Sequence, residues 1–284
     1  ALDMLPVIST ASQCVTLQGK VLLVEDHPVN QEYALQALHG LGVGVDLASN
    51  GIEALNRLQE QRYDLVLMDC QMPEMDGYRA TGLIRRSEQE SGSGRLPIIA
   101  LTANAMLDDM DDYLSKPFSK SQIETMLHRW LPDAERCEPM VVEEPVVAYN
   151  APSSAVKTGA SLQSETIEQL RGMDDDGSFL NRIIGAYLEK SPTDIEQLKQ
   201  GLALADAEAL RKAAHSFKSS SYNLGAHHLA ELCKTVEMMG RECDLEGAAE
   251  LCAGIEAEYL RAREALIKIQ EKNNAENSIE QRDR

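Results

Sequence analysis

The hydrophobic pattern changes period near the middle of the chain. In the first half, short apolar runs bounded by polar residues alternate with stretches whose apolar positions recur every three to four residues. Lys20-Val-Leu-Leu-Val-Glu-Asp26 is the first such run, and Leu65 to Met68 within Asp64-Leu-Val-Leu-Met-Asp69 is another. Runs of this kind suit strands buried on both faces of a parallel sheet. Val43–Ala48, Leu96–Thr102 and Asp112–Ser115 complete five predicted strands. Helices are predicted over 30–41 (opened by Pro28), 52–61, about 78–90 and 119–131. Strands alternating with helices at this spacing imply a five-stranded, doubly wound parallel sheet.

After residue 131 strand signals vanish. Residues 132–163 hold Pro132, Pro139, Pro145 and Pro152 among Glu, Val, Ser and Ala, the composition of a semi-extended linker. Beyond it the spacing predicts helices over 164–172, 178–190, 192–204, 207–222, 226–240 and 245–271, with Ser191-Pro192 marking a helix start and Gly225 and Gly240 marking breaks. They should form an antiparallel bundle. The expected organisation is an N-terminal linker (1–18), an α/β domain (19–131), the Pro-containing linker (132–163), an all-α domain (164–272) and a polar, disordered tail (273–284).

Composition narrows the function. Hydrophobic residues make up 43% of the 284, aromatics only 4%, so both cores are aliphatic and alanine-rich. A net charge of −19 argues against a nucleic-acid surface. The six cysteines (Cys14, Cys70, Cys137, Cys233, Cys243, Cys252) show no C-x-x-C pairing and read as reduced thiols of a cytosolic protein, without a zinc site. No apolar run approaches the length of a membrane span, and no signal peptide is visible.

The candidate chemistry of the first half lies where its strands end. The first strand delivers Glu25 and Asp26, the third Asp69, the fourth Thr102 and the fifth Lys116. In a parallel sheet these ends share one edge, where open α/β folds place their ligands. Two carboxylates about 4 Å apart repel by roughly 4 kcal/mol at an effective dielectric of about 20. Three together call for a cation, and hard oxygen ligands suit Mg²⁺. An ionised Asp69 is an oxygen nucleophile able to form an acyl phosphate, with the metal, the Lys116 ammonium and the Thr102 hydroxyl neutralising the phosphoryl oxygens.

Residues 20–131 resemble a response-regulator receiver domain. Val-Glu-Asp-His-Pro-Val-Asn, Met-Asp-Cys-Gln-Met-Pro-Glu-Met-Asp-Gly, Leu-Thr-Ala-Asn-Ala and Tyr-Leu-Ser-Lys-Pro match that family's motifs in order. The resemblance implies Asp69 as phosphoacceptor, and Glu25, Asp26 and the Gln71 main-chain carbonyl as further metal ligands. It also implies Lys116 as the phosphoryl contact, Thr102 and Tyr113 as the switch pair, and a cis Lys116–Pro117 bond. One departure stands out: only Leu107-Asp108-Asp109 occupies the place of the family's fourth helix, which puts the Thr102–Tyr113 switch and part of the signalling face in question.

In the second half, Leu210, Ala214, Phe217 and Ser221 share one helix face and should turn inward, while Arg211, His215 and Lys218 lie on another. This spacing predicts an exposed His215 with a cation one turn to either side, Lys218 offsetting phosphoryl charge. A neutral imidazole can attack an acyl phosphate. Ala214-His-Ser-Phe-Lys-Ser-Ser-Ser-Tyr-Asn-Leu-Gly-Ala226 resembles the motif of histidine phosphotransfer (HPt) domains, the similarity running over about 165–270. Departures are Phe217 for the usual Leu and Ser219 for the usual Gly, the latter adding a hydroxymethyl near the docking surface. His227 and His228 read as helix surface, and His27, His39 and His128 as structural or exposed.

A receiver followed by a linker and an HPt domain resembles the C-terminal part of a bacterial hybrid sensor histidine kinase, cytoplasmic, with a parent anchored in the inner membrane as one option. The resemblance implies phosphoryl transfer from a kinase phosphohistidine to Asp69, then to His215, then to a downstream response regulator. No His-Glu dipeptide, Asn-box, Gly-rich ATP lid or P-loop is present, so this chain is not expected to use ATP by itself. The alternatives are a scaffold that binds a partner without cycling phosphate, and a Mg²⁺-dependent aspartyl phosphatase, which would need a second acid where Gln71 stands.

Overall fold

The computed structural model describes residues 17–102, 109–131, 161–174 and 177–280. The first part is a five-stranded parallel sheet built from β1 (Lys20–Val24), β2 (Gly44–Ala48), β3 (Leu65–Asp69), β4 (Ile98–Thr102) and β5 (Asp112–Ser115), in the order β2-β1-β3-β4-β5. Helices α1 (Pro28–His39), α2 (Gly51–Glu60), α3 (Gly77–Ser91) and α4 (Lys120–Trp130) cover its two faces. Strand alternation divides the core. Leu23, Leu67, Leu101 and Leu114 pack beneath α1 and α4 with Ala37, Leu38, Ile123 and Leu127. Leu22, Val66, Met68 and Ala100 pack on the other face with Ala54, Ala80 and Ile84 of α2 and α3. With both faces buried, each central strand reads as an unbroken apolar run, which is how the sequence displayed it.

The helix starts are chemically explicit. Asn50 caps α2, Asp76 caps α3, and Ser119 opens α4 in a capping box with Gln122. At the entry to α3, a Cβ on Gly77 would stand 2.2 Å from the Asp69 carbonyl oxygen, so only glycine lets this helix begin directly behind the end of β3.

The second part comprises α5 (Ser164–Arg171), α6 (Ser178–Ala203), α7 (Ala207–Asn223), α8 (His227–Glu242) and α9 (Ala248–Glu280). Helices α6 to α9 form a four-helix bundle, with α5 lying against α6. Its centre is aromatic rather than aliphatic as the low aromatic content implied, because the few aromatics are concentrated here: Tyr187, Phe217 and Tyr259 meet with ring centroids 5.9–6.5 Å apart. A Cβ on Gly240 would come within 2.6 Å of the Ala207 carbonyl oxygen, so glycine permits the close approach of α8 to α7.

Several boundaries differ from the sequence reading. Helix α6 is continuous, and Pro192 lies inside it rather than at a start. The buried Ser191 hydroxyl donates to the Tyr259 hydroxyl at 3.1 Å, and buried Asp194 and Ile195 follow at once, so packing on both sides of the proline holds one axis. Helix α9 runs on to Glu280, so residues 273–280, expected in a disordered tail, are helical. Its Asn273 is buried and bonds Asn181 of α6, a long-range contact that helix periodicity does not report. Leu17, expected in the first linker, is buried in the sheet core. Leu162, at the end of the second, is buried in the bundle core. Residues 1–16 and 132–160 of the linker reading, and Leu107 and Asp108 of the shortened segment, lie outside the described residues. Around that segment, Arg85 of α3 donates to the Asp109 carbonyl and to Asp111, fixing the entry of β5 into the sheet.

The two parts pack against each other through α1, which lies across α6 and α7. Val29 of α1 is fully buried and belongs to the bundle's apolar cluster, with Tyr33 packed against it.

Candidate phosphotransfer site

At the carboxyl edge of the sheet, Glu25 and Asp26 follow β1, Asp69 ends β3, Thr102 ends β4 and Lys116 follows β5. One carboxylate oxygen from each of Glu25, Asp26 and Asp69 lies within 4.8 Å of the others. The Lys116 ammonium donates to Glu25 Oε2 at 2.5 Å and to Asp69 Oδ2 at 2.7 Å, and all three side chains are buried. Three acids with one ammonium leave negative charge in a desolvated place. Burial, followed by repulsion from Glu25 and Asp26, pushes Asp69 up to about 7 against the pull of Lys116. Burial and the neighbouring Glu25 push Asp26 up to about 6. Glu25 is held low despite its burial by Lys116 and by the Asn30 amide. The unmet negative charge and the all-oxygen donors fit a hard divalent cation.

The other expected residues fall as follows. Gln71 donates its backbone N–H to Asp69 Oδ1 at 3.1 Å, which puts its main chain at the rim of the acid cluster. Thr102 is buried, and its carbonyl accepts from the Lys116 backbone N–H at 2.9 Å. Tyr113 lies on the edge strand β5 with its side chain 43% exposed. The Lys116–Pro117 bond is cis.

His215 is on α7, where Leu210, Ala214, Phe217 and Ser221 turn into the bundle as their spacing foretold. Its own environment differs from expectation: His215 is only 6% exposed. Its Nδ1 lies 2.8 Å from Glu237 Oε1 of α8, and Lys218 Nζ donates to the other Glu237 oxygen at 2.6 Å. Burial, Lys218 and Lys116 lower the His215 pKa below its ordinary value, with Glu237 opposing, which favours the neutral ring. Glu237 itself is held at about 2, the His215 and Lys218 contacts overcoming its burial, so it is an anion that accepts from Nδ1–H. The lone pair is thereby left on Nε2. Ser219 is buried, and its hydroxyl turns back to the His215 carbonyl at 3.3 Å.

Cross-domain bonds bracket His215 on α7. Arg211, one turn before it, donates to the Gln71 side chain at 3.1 Å. Asn223, two turns after it, donates to Asn30 at 2.9 Å, and Asn30 in turn donates to Glu25 at 3.0 Å. The histidine face of α7 is therefore seated towards the acid edge of the sheet, and this burial is what helix periodicity could not predict. Glu237, Asn30, Asn223 and the Arg211–Gln71 contact escaped the sequence reading, because each depends on a partner on another element. The only local signal was Arg211, noticed as a cation one turn from His215.

Residues 21–128 match the family model of the response regulator receiver domain, and residues 182–265 match that of the Hpt domain. Over 240 residues the chain is 32% identical to the sensor histidine kinase GacS of Pseudomonas protegens, an alignment covering 82% of this chain and 25% of that protein. It is 28% identical over 256 residues to the signal transduction histidine-protein kinase BarA of Shigella flexneri, covering 86% and 26% respectively. The chain thus spans about a quarter of the length of these curated relatives. Among solved structures, the receiver domain of sensor histidine kinase PA1611 from Pseudomonas aeruginosa PAO1, with a magnesium ion coordinated in its active-site cleft, is 45% identical. That match covers 40% of this chain and 97% of that one, with a TM-score of 0.36.

Proposed function

Because this chain belongs to the response regulator receiver family in its first half and to the Hpt family in its second, we propose that it carries two consecutive stations of a two-component phosphorelay, Asp69 and His215. The observation that carries this reading is the seating of α7: Arg211–Gln71 on one side of His215 and Asn223–Asn30–Glu25 on the other tie the histidine helix to the acid cluster.

The Asp69 carboxylate attacks the phosphorus of a phosphohistidine on a kinase core, whose P–N bond breaks as the acyl phosphate forms. His215 Nε2 then attacks that phosphorus, and the P–O bond to Asp69 breaks, returning the carboxylate. Lys116 neutralises phosphoryl charge on the acid side. On the other side, Glu237 holds the Nδ1 proton and offsets the positive charge that develops on the ring, with Lys218 beside it. Glu25, Asp26, Asp69 and the Gln71 main-chain carbonyl are the proposed holders of Mg²⁺, which when bound would neutralise phosphoryl oxygens. Thr102 is the proposed sensor of the phosphoryl group, and Tyr113, exposed here, its proposed switch partner. A receiver domain of a downstream response regulator would take the group from His215. Among the described residues no helix is long and apolar enough to cross a membrane, in keeping with modules that act on partners in an aqueous compartment; the cytoplasm of the parent kinase is the proposed one.

The test is phosphate incorporation from acetyl phosphate with Mg²⁺ into the intact chain, Asp69→Ala and His215→Ala. The expected result is hydroxylamine-sensitive label on Asp69, acid-labile label on His215 that is lost in Asp69→Ala, and no label after chelation of Mg²⁺. Label on neither residue of the folded chain, with a phosphorylated kinase core failing as donor too, would overturn the relay.

A further inference from the structure

At the centre of the contact between the two domains, a histidine and an aspartate meet with almost no solvent. His27 Nε2 lies 3.1 Å from Asp194 Oδ2, and each residue is 1% exposed. The ring is spoken for on both sides. His27 is the N-cap of α1, where Nδ1 accepts from the Val29 backbone N–H at 3.3 Å, so the proton sits on Nε2 and is donated to Asp194. On α6, Lys190 Nζ lies 3.2 Å from the other Asp194 oxygen as an ion pair that makes no hydrogen bond, and Oδ2 is left for His27.

The remaining cross-domain polar contacts are weaker selectors. Asn30–Asn223, Arg211–Gln71 and the Gln36 donation to the Met173 carbonyl are only part-buried, and the Arg182 contacts with Gln36 and Glu32 are exposed, so water can replace either partner in each. The apolar seat of Val29 is indifferent to register. A buried carboxylate is not: a receiver presenting no donor at the position of His27 would bury Asp194 Oδ2 without a partner. His27 also follows the acids Glu25 and Asp26 directly, so whatever Asp194 grips is fixed relative to the phosphorylation site.

We infer that the His27–Asp194 pair is the positioning contact by which this chain's HPt bundle recognises its own receiver and sets His215 over Asp69. This rests on the relay reading for its consequence, but the contact itself can be tested apart from it. His215 is covered in the docked arrangement, so its rate of carbethoxylation by diethyl pyrocarbonate, followed by mass spectrometry on the full chain, reports separation of the domains. Single-turnover movement of label from Asp69 to His215 reports its consequence.

Asp194→Ala is expected to raise carbethoxylation of His215 about tenfold and to slow transfer, while initial labelling of Asp69 stays unchanged. Asp194→Asn keeps an acceptor for Nε2–H and is expected to recover most of both. Adding Asp194→Ala to His27→Ala should add no further loss and should recover part of it, because it removes the carboxylate left without a partner. An unchanged carbethoxylation rate in folded Asp194→Ala would overturn the inference, as would additive effects of the two alanines or an Asp194→Asn variant as impaired as Asp194→Ala. Should Asp194→Ala not fold, His27→Ala makes the same test from the other side. Absence of His215 label in the unaltered chain would overturn the relay, and with it the positioning role; carbethoxylation alone would then decide whether the pair holds the domains together.

Discussion

With Glu237 accepting from Nδ1, the one proton of the neutral His215 ring is committed and the lone pair is aimed from Nε2. The charge of Glu237 matters as much as its position, because the ring becomes cationic as the phosphorus–nitrogen bond forms. Glu237→Gln retains an acceptor but removes the anion, and is expected to slow Asp69-to-His215 transfer about tenfold in single-turnover experiments, leaving Asp69 labelling intact. The same pair gives a pH signature. Glu237 is held at about 2 against an ordinary 4.5, so its contribution to stability is present above pH 4.5 and is lost as pH falls towards 2. His215 is lowered below 6.5, so the unfolded chain takes up a proton before the folded one does, and stability begins to fall as pH drops through 6.5. Asp69 and Asp26, raised to about 7 and about 6, act the other way and gain stability as pH falls, so the His215 contribution is read as the urea-midpoint difference between the intact chain and His215→Ala, which should move against the intact chain from about pH 6.5 downwards. The deficit of Glu237→Gln should be largest above pH 4.5 and shrink below it; a deficit independent of pH would count against the ion pair.

At the scale of elements, α6 shows how tertiary packing overrides local preference. A proline within a helix removes one hydrogen bond and disfavours the helical region for the residue before it, yet α6 carries Pro192 without ending. Its side chain is exposed while Ser191, Asp194, Ile195 and Leu198 are buried around it, so the proline tolerates this place rather than shaping it. Pro192→Ala restores an N–H to bond the Leu188 carbonyl and should stabilise the bundle by about 1–3 kcal/mol in urea titrations. An unchanged midpoint would mean that the helix is already distorted to relieve the loss.

At the scale of the described residues as a whole, the sheet domain and the bundle share one helix. α1 belongs to the sheet through Ala34, Ala37 and Leu38 and to the bundle through Val29. Because Val29 is fully buried there, Val29→Asp would force an unpaired charge into the contact. It is expected to leave Asp69 labelling from acetyl phosphate near normal and to slow appearance of label on His215 at least tenfold. Unimpaired transfer in this variant would mean that the two sites meet in another arrangement.

Much of this molecule was determined by local sequence. The doubly wound parallel sheet follows from apolar runs alternating with helical crossovers, and the acids fall at strand ends because polar residues stop each buried run at the same sheet edge. The inward face of α7 was legible for the same reason, since Leu210, Ala214, Phe217 and Ser221 repeat at helical spacing. What only the tertiary structure decided are pairings across elements: Glu237 beneath His215, Pro192 held within one helix, α9 extended by Asn273 on Asn181, and His27 against Asp194. Each depends on a residue between 22 and 167 positions away, and periodicity carries no information at that range. The burial of His215 belongs with them, because one helix read alone does not reveal that a second domain rests on its polar face.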